Sequence, residues 1–119
     1  MVKSNYSLGH DAEQRVAGWL VNQGYKILDM NWRTKQCEID IIAQKTTGKF
    51  KKSKVIYFIE VKSRSNSSQG DGFEYITASK LKQMEFAAQM WLADHDWRGE
   101  SQMAAVAVLG SQFELVKIL

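Results

Sequence analysis

The 119-residue sequence predicts a single α/β domain with the element order αβββαββ. Two observations predict it: apolar residues recur at helical spacing in two segments, and five short segments are rich in β-branched and aromatic residues. A hydrophobic content of 45% beside 24% charged residues is typical of a globular protein with one core and excludes wholesale disorder. We expect this domain to span residues 1–119, with residues 1–7 as a flexible tail.

The first helix is predicted over residues 8–22. Val16 and Leu20 lie on its apolar stripe at helical spacing, and Gly24 is well placed to end it. Glu13 lies on or beside this stripe, one turn before Val16. Two explanations remain open for Glu13: a favourable interaction with the helix dipole, or a role in a functional site.

Three strands are predicted next, over residues 25–32, 37–43 and 55–62. Each is short and rich in apolar, β-branched or aromatic residues. A long polar connection with five lysines, residues 44–54, separates the second strand from the third and predicts an antiparallel hairpin.

The second helix is predicted over residues 78–94, with Thr77 as its N-cap and an apolar stripe at helical spacing. Two further strands are predicted over residues 103–109 and 112–118, joined around a glycine and a serine.

Charged residues interrupt the second and third strands at the ends that the hairpin brings together. Side chains two apart on a strand share a face, so Glu38 is paired with Asp40, and Glu60 with Lys62. If facing residue numbers sum to 100, Asp40 lies opposite Glu60 and Glu38 opposite Lys62, with all four on one face. The alternative is a frayed strand end with these charges in water.

Opposed carboxylates in a sheet repel each other and need a compensating charge. A divalent cation such as magnesium would bind Asp40 and Glu60, and the carbonyl of Val61 would supply a further oxygen. Such a cation acidifies a bound water, and Lys62 could orient that water or stabilise a phosphate oxygen. Glu13 would complete the acidic cluster if its helix covers this face.

The basic residues are concentrated in the middle of the chain. The whole chain carries a net charge of +3, whereas residues 33–82 hold eleven basic and five acidic residues. This distribution favours a polyanionic partner, although a solvated lysine-rich loop also explains it.

The single cysteine excludes an intrachain disulfide and a zinc site built from cysteines. Without a secretory signal or a long apolar run, we expect a cytoplasmic protein that binds no membrane.

Two motifs carry a resemblance to a known group of proteins. Glu-Ile-Asp-Ile-Ile-Ala at residues 38–43, followed by Phe-Ile-Glu-Val-Lys-Ser-Arg at 58–64, resembles the PD-(D/E)xK nuclease superfamily. Within it, the chain is most similar to the YraN-like family of predicted endonucleases, which are related in fold to archaeal Holliday-junction resolvases. The resemblance extends over nearly the whole chain.

This resemblance implies a restriction-endonuclease-like fold with three layers, α/β/α, around a central mixed sheet. It also implies that Asp40 and Glu60 are metal ligands, that Lys62 is the catalytic lysine and that Glu13 is the helix acid. Mg²⁺ would be the cofactor, with Mn²⁺ as a substitute.

Three functions are compatible with these observations. The first is a metal-dependent endonuclease acting on DNA, including branched or repair and recombination intermediates, with a homodimer as one arrangement for two strands. The second is a nucleic-acid-binding module of the same fold that does not cut, and the third is a structural domain in which the charges form an ion-pair network. The expected nucleic-acid contacts are Arg33, Lys35, Lys51, Lys52, Lys54, Arg64, Lys80 and Gln83.

Overall fold

A computed structural model describes residues 5–50, 52–64 and 76–118 of the chain. The element order confirms the predicted αβββαββ arrangement. The elements are α1 (Asn5–Asn22), β1 (Tyr25–Arg33), β2 (Glu38–Thr47), β3 (Ser53–Arg64), α2 (Ala78–Asp94), β4 (Glu100–Leu109) and β5 (Gln112–Lys117).

The five strands form one mixed sheet in the order β1-β2-β3-β4-β5. β3 and β4 are parallel, and the other neighbouring pairs are antiparallel. The parallel pair requires a crossover, which α2 supplies. α1 packs on one face of the sheet and α2 on the other, which confirms a three-layer α/β/α architecture compatible with the restriction-endonuclease-like fold.

Each face of the sheet has its own buried core. The α1 core includes Val16, Leu20, Ile41, Ile59 and Val106. The α2 core includes Ile42, Phe58, Met84, Trp91 and Met103. The central strands are therefore apolar on both faces, which explains why the sequence of β3 is nearly continuous in apolar residues.

The ends of the helices follow local sequence signals. α2 has the predicted bounds, and the hydroxyl of Thr77 accepts a hydrogen bond from the amide of Lys80 at 3.1 Å. α1 is followed by Gly24 at φ 96°, a conformation that favours glycine. α1 begins at Asn5, so residues 5–7 of the predicted flexible tail are helical, and residues 1–4 lie outside the described residues.

The strands of the β2–β3 hairpin are longer than predicted, and the turn between them is shorter. β2 continues to Thr47 and β3 begins at Ser53, and these two residues face each other. The prediction of a polar connection over residues 44–54 was therefore wrong at both ends. Backbone hydrogen bonds can extend a hairpin without apolar side chains, and threonine favours the extended conformation.

The predicted register of this hairpin is confirmed. Facing residue numbers sum to 100 along the whole described β2–β3 ladder, from Thr47 and Ser53 to Ile41 and Ile59. Neither helix among the described residues is long and apolar enough to cross a membrane.

The faces of β2 do not alternate as simply as the sequence pattern predicts. Ile41 and Ala43 lie in the α1 core, but Ile39 lies in the α2 core instead of joining them. The side chains therefore change face around Asp40. On β1, Asn31 lies between the pairs that join β1 to β2 on either side of Asp40, and it has a positive φ of 53°. The irregular backbone of β1 thus lies directly beside the change of face on β2.

Candidate functional site

The candidate site lies at the end of the sheet where the pairing of β2 with β3 stops. The last described pair of this ladder is Ile41 with Ile59. Beyond it, the carboxylate of Asp40 accepts a hydrogen bond from the backbone amide of Val61 at 2.8 Å. This hydrogen bond to the neighbouring strand holds the carboxylate of Asp40 between β2 and β3.

Three carboxylates converge on the side of the sheet that α1 covers. Oxygens of Glu13, Glu38 and Asp40 all lie within 4.8 Å of one another. The side-chain amide of Asn31 donates to Glu13 at 2.6 Å and to Glu38 at 2.9 Å. We call Glu13, Asn31, Glu38 and Asp40 the carboxylate cluster. Asn31, whose backbone is left-handed, thus bridges two acids of the carboxylate cluster.

Burial and neighbouring acids make Asp40 difficult to ionise. Burial, the negative charge of Glu60 and the proximity of Glu13 raise the pKa of Asp40 to about 8, although the hydrogen bond from Val61 opposes the shift. A carboxylic acid with this pKa holds a proton near neutral pH unless a cation replaces it.

Glu60 lies on the side that α2 covers, in a different environment. It is only 7% exposed, and Lys62 approaches one of its oxygens at 3.4 Å. Lys80, in the first turn of α2, lies 3.9 Å from the other oxygen, Oε2, which is buried without a hydrogen-bond partner. We call Glu60, Lys62 and Lys80 the lysine-flanked group.

The four charges expected on one face are therefore divided between two groups. Asp40 joins Glu13, as expected if α1 covers the site, and Lys62 lies beside Glu60. Glu38 was expected opposite Lys62, but it lies in the carboxylate cluster because the side chains of β2 change face around Asp40.

Two members of the carboxylate cluster were not among the predicted catalytic residues: Asn31 and Glu38. Glu38 was identified as part of the charged strand end but was assigned no ligand role. Asn31 was assigned no role from the sequence, although asparagine is one of the few residues that readily adopt a left-handed backbone.

The expected nucleic-acid contacts fall into separate regions. Arg33 binds Glu38 at 2.8 Å, and its side chain is 72% exposed beside the carboxylate cluster. Lys80 contacts Glu60, and Gln83 is exposed one turn further along α2. Lys35 is exposed in the turn between β1 and β2.

The lysines of the β2–β3 hairpin lie farther from the candidate site. Lys52 and Lys54 are exposed near the tip of the hairpin, and Thr47 is seven positions beyond Asp40 along the extended strand. At about 3.3 Å per residue this is roughly 23 Å. Lys51 and the side chain of Arg64 lie outside the described part of the structure.

The donor set of the site suits a hard divalent cation. The carboxylate cluster offers oxygen ligands, which magnesium and manganese prefer, and leaves like charges close together. On the other side, Oε2 of Glu60 is a buried oxygen with unused bonding capacity. The residues present therefore fit such an ion.

Fold and site together define a class: a three-layer α/β/α protein of restriction-endonuclease-like architecture, with acids and a lysine at the end of its central strands. Its family follows from comparison with known sequences. The family model described as "Uncharacterised protein family UPF0102" matches residues 12–118, and the chain belongs to this family, the YraN-like group.

Curated relatives support this assignment. A UPF0102 protein of Syntrophotalea carbinolica is 39% identical over 79% of this chain and 71% of its own length. Another from Beutenbergia cavernae is 36% identical over 81% of this chain and 77% of its own. One from Cytophaga hutchinsonii is 32% identical over 87% of this chain and 86% of its own. These names identify a family and state no activity.

Proposed function

We propose that this protein is a divalent-metal-dependent endonuclease that hydrolyses phosphodiester bonds in DNA. The observation that carries the proposal is the cluster of three mutually close carboxylates at one end of the sheet, with buried Glu60 and its lysine on the other side of Asp40. Acids that repel one another are compensated by a cation, and a lysine beside them suits a phosphate.

Asp40 would be the central ligand of the cation, because it lies between the two groups of charges. Glu13 and Glu38 are close on one side, and Glu60 is near enough on the other to raise the pKa of Asp40. The amide of Val61 points to Asp40, and in an extended strand the carbonyl of the same residue points to the same edge. That carbonyl is therefore a further candidate ligand. A bound cation would neutralise these acids and activate water for attack on phosphorus.

Among the residues that the structure describes, Lys62 is well placed to act on the phosphate. Its ammonium lies 3.4 Å from Glu60, so the glutamate orients the lysine towards the site. From there Lys62 can donate hydrogen bonds to a phosphate oxygen as negative charge develops on it. Lys80 contacts the same glutamate and adds a second positive charge from the start of α2.

A second candidate function is a nucleic-acid-binding module of the same fold that does not cut. One observation favours it: Lys62 and Lys80 already lie beside Glu60 and compensate part of its charge without a metal. This module would bind DNA with a steep salt dependence and show no turnover. Its role inside a larger complex would rest on binding alone.

The proposal is tested by cleavage of linear, nicked and branched DNA in the presence of Mg²⁺ or Mn²⁺. We expect Lys62→Met to lower the rate by roughly 100-fold or more, the range found when a stabilising charge or proton donor is lost. Asp40→Asn should have a comparable effect because it weakens cation binding. Lys26→Met, which removes an exposed lysine from β1, is the matched control and should cut like the wild type.

Equal cleavage by the wild type, Lys62→Met and Asp40→Asn would contradict the proposal, because the activity would then come from another site or a contaminant. Salt-dependent binding without turnover in any of the three proteins would identify the non-cutting module.

A further inference from the structure

An open groove lies beside the carboxylate cluster, between α2 and the turn that joins β1 to β2. Its volume is about 520 Å³, within the ~300–1,000 Å³ range of small-ligand pockets. The groove is lined by Arg33, Thr34, Lys35, Gln36, Phe86 and Met90.

The apolar side of the groove is a second face of α2. Phe86 is 59% exposed and Met90 41% exposed, one helical turn apart. The buried stripe of α2 includes Met84, Ala87 and Ala88, and successive residues are about 100° apart around a helix. Phe86 therefore points well away from the core, and its exposure is not a gap in core packing. The two side chains together offer an exposed apolar surface on the groove.

The opposite wall is held in a defined shape. The hydroxyl of Thr34 accepts hydrogen bonds from the amides of Gln36 and Cys37, at 3.3 and 3.1 Å. The amide of Thr34 in turn donates to the carbonyl of Cys37 at 2.8 Å. This closed turn presents Arg33 and Lys35 to the groove, and among the described residues no acidic side chain lines it.

An aromatic ring and a thioether facing two cations suit one class of occupant: an unpaired DNA base with its phosphate. A base stacks on an aromatic ring, and its phosphate is neutralised by Lys35 and by Arg33, whose guanidinium binds Glu38 but remains 72% exposed. A second copy of this chain fits less well, because a symmetric contact would bring the same cations together.

The groove is continuous with the candidate site through Arg33. Arg33 lines the groove, and its guanidinium also binds Glu38 of the carboxylate cluster at 2.8 Å. Arg33 therefore links the carboxylate cluster to the groove that Phe86 lines.

We propose that this groove binds an unpaired base next to the cleaved bond, so that the preferred substrates contain single-stranded nucleotides at the cleavage position. This inference rests on the proposed nuclease function for its position on the substrate, but its test measures binding and requires no turnover.

The test compares Phe86→Ala with the wild type by fluorescence anisotropy in Ca²⁺. The probes are a labelled 20-nucleotide oligothymidine, the same backbone with abasic sites, and a 20-base-pair duplex. We expect Phe86→Ala to weaken binding of oligothymidine roughly tenfold, as stacking of bases on an aromatic side chain implies. Binding of the abasic strand and of the duplex should change less than twofold.

Two variants control for fold and surface chemistry. Phe86→Trp keeps an aromatic ring and should retain tight binding of oligothymidine. Val21→Ala removes another exposed apolar side chain, 54% exposed on α1, and should leave binding unchanged.

Three results would overturn the inference. Equal weakening on the abasic strand would show that Phe86 does not contact a base. Unchanged binding of all three probes would exclude the groove as a DNA site. A dimer that Phe86→Ala dissociates, with DNA binding intact, would assign the groove to a second copy. The nuclease proposal fails on a different measurement: the wild type and Lys62→Met would then show no difference in cleavage.

Discussion

The two halves of the candidate site handle negative charge in opposite ways. On the α2 side, buried Glu60 lies between the ammonium groups of Lys62 and Lys80. On the α1 side, Glu13, Glu38 and Asp40 lie together, and the pKa of Asp40 is raised to about 8. The comparison teaches that two lysines of the chain compensate Glu60, whereas in the carboxylate cluster Arg33 compensates Glu38 and Asp40 depends on a proton or a cation.

The largest expected effect is a dependence of stability on pH in the cation-free protein. The pKa of Asp40 is raised from 3.8 to about 8, so between these values the folded protein keeps a proton that the unfolded chain releases. The free energy of unfolding should therefore fall as pH rises from about 4 to 8, by on the order of 4 kcal/mol. Urea denaturation in EDTA at a series of pH values measures this slope.

Asp40→Asn removes the titrating group and should flatten that slope, which makes the variant more stable than the wild type near pH 8. Asp94→Asn, at an exposed position on α2, is the control and should keep the wild-type slope. A slope that survives in Asp40→Asn would mean that another group carries the pH dependence.

The second effect is stabilisation by the cation, which replaces the proton of the carboxylate cluster. At a free concentration of Mg²⁺ or Mn²⁺ about 100 times its dissociation constant, the free energy of unfolding should rise by about 2.7 kcal/mol. Thermal melts with and without the ion measure it. Glu13→Gln and Asp40→Asn should lose most of the stabilisation, whereas Glu85→Gln, an exposed acid on α2, should retain it. Equal stabilisation of all four proteins would place the ion elsewhere.

The smallest effect concerns the lysine-flanked group. Lys62→Met leaves the buried carboxylate of Glu60 with less compensation, and we expect a loss of about 1–2 kcal/mol, between the values for exposed and buried ion pairs. Arg98→Met breaks the exposed pair with Asp96 and should change stability by at most about 0.5 kcal/mol. Urea denaturation of both variants compares them. Stabilisation by Lys62→Met would show that the two halves are less different than the geometry indicates.

Much of the fold follows from local rules that the sequence displays. α2 has its predicted bounds because an apolar stripe and the cap at Thr77 agree. The hairpin register was predicted by placing the charged ends of the two strands on one face, and the residue numbers of the observed pairs sum to the predicted value of 100.

The division of the site could not be predicted in the same way. Strict alternation along β2 places Glu38 and Ile42 on one face and Ile39 and Ile41 on the other. The structure breaks that alternation around Asp40, next to a left-handed Asn31 on the adjacent strand. A period of two residues carries no information about such an interruption, which lies beside the tertiary contacts of Asn31 with Glu13 and Glu38.

The hydrogen bond from the amide of Val61 to Asp40 can report on the orientation of the Asp40 carboxylate. A carboxylate that turns towards an ion releases this amide, whereas a carboxylate that stays on the amide protects it from solvent. The rate of hydrogen–deuterium exchange at the backbone amide of Val61, compared with and without the cation, would therefore report whether Asp40 turns to a bound ion, and the experiment needs no nucleic acid.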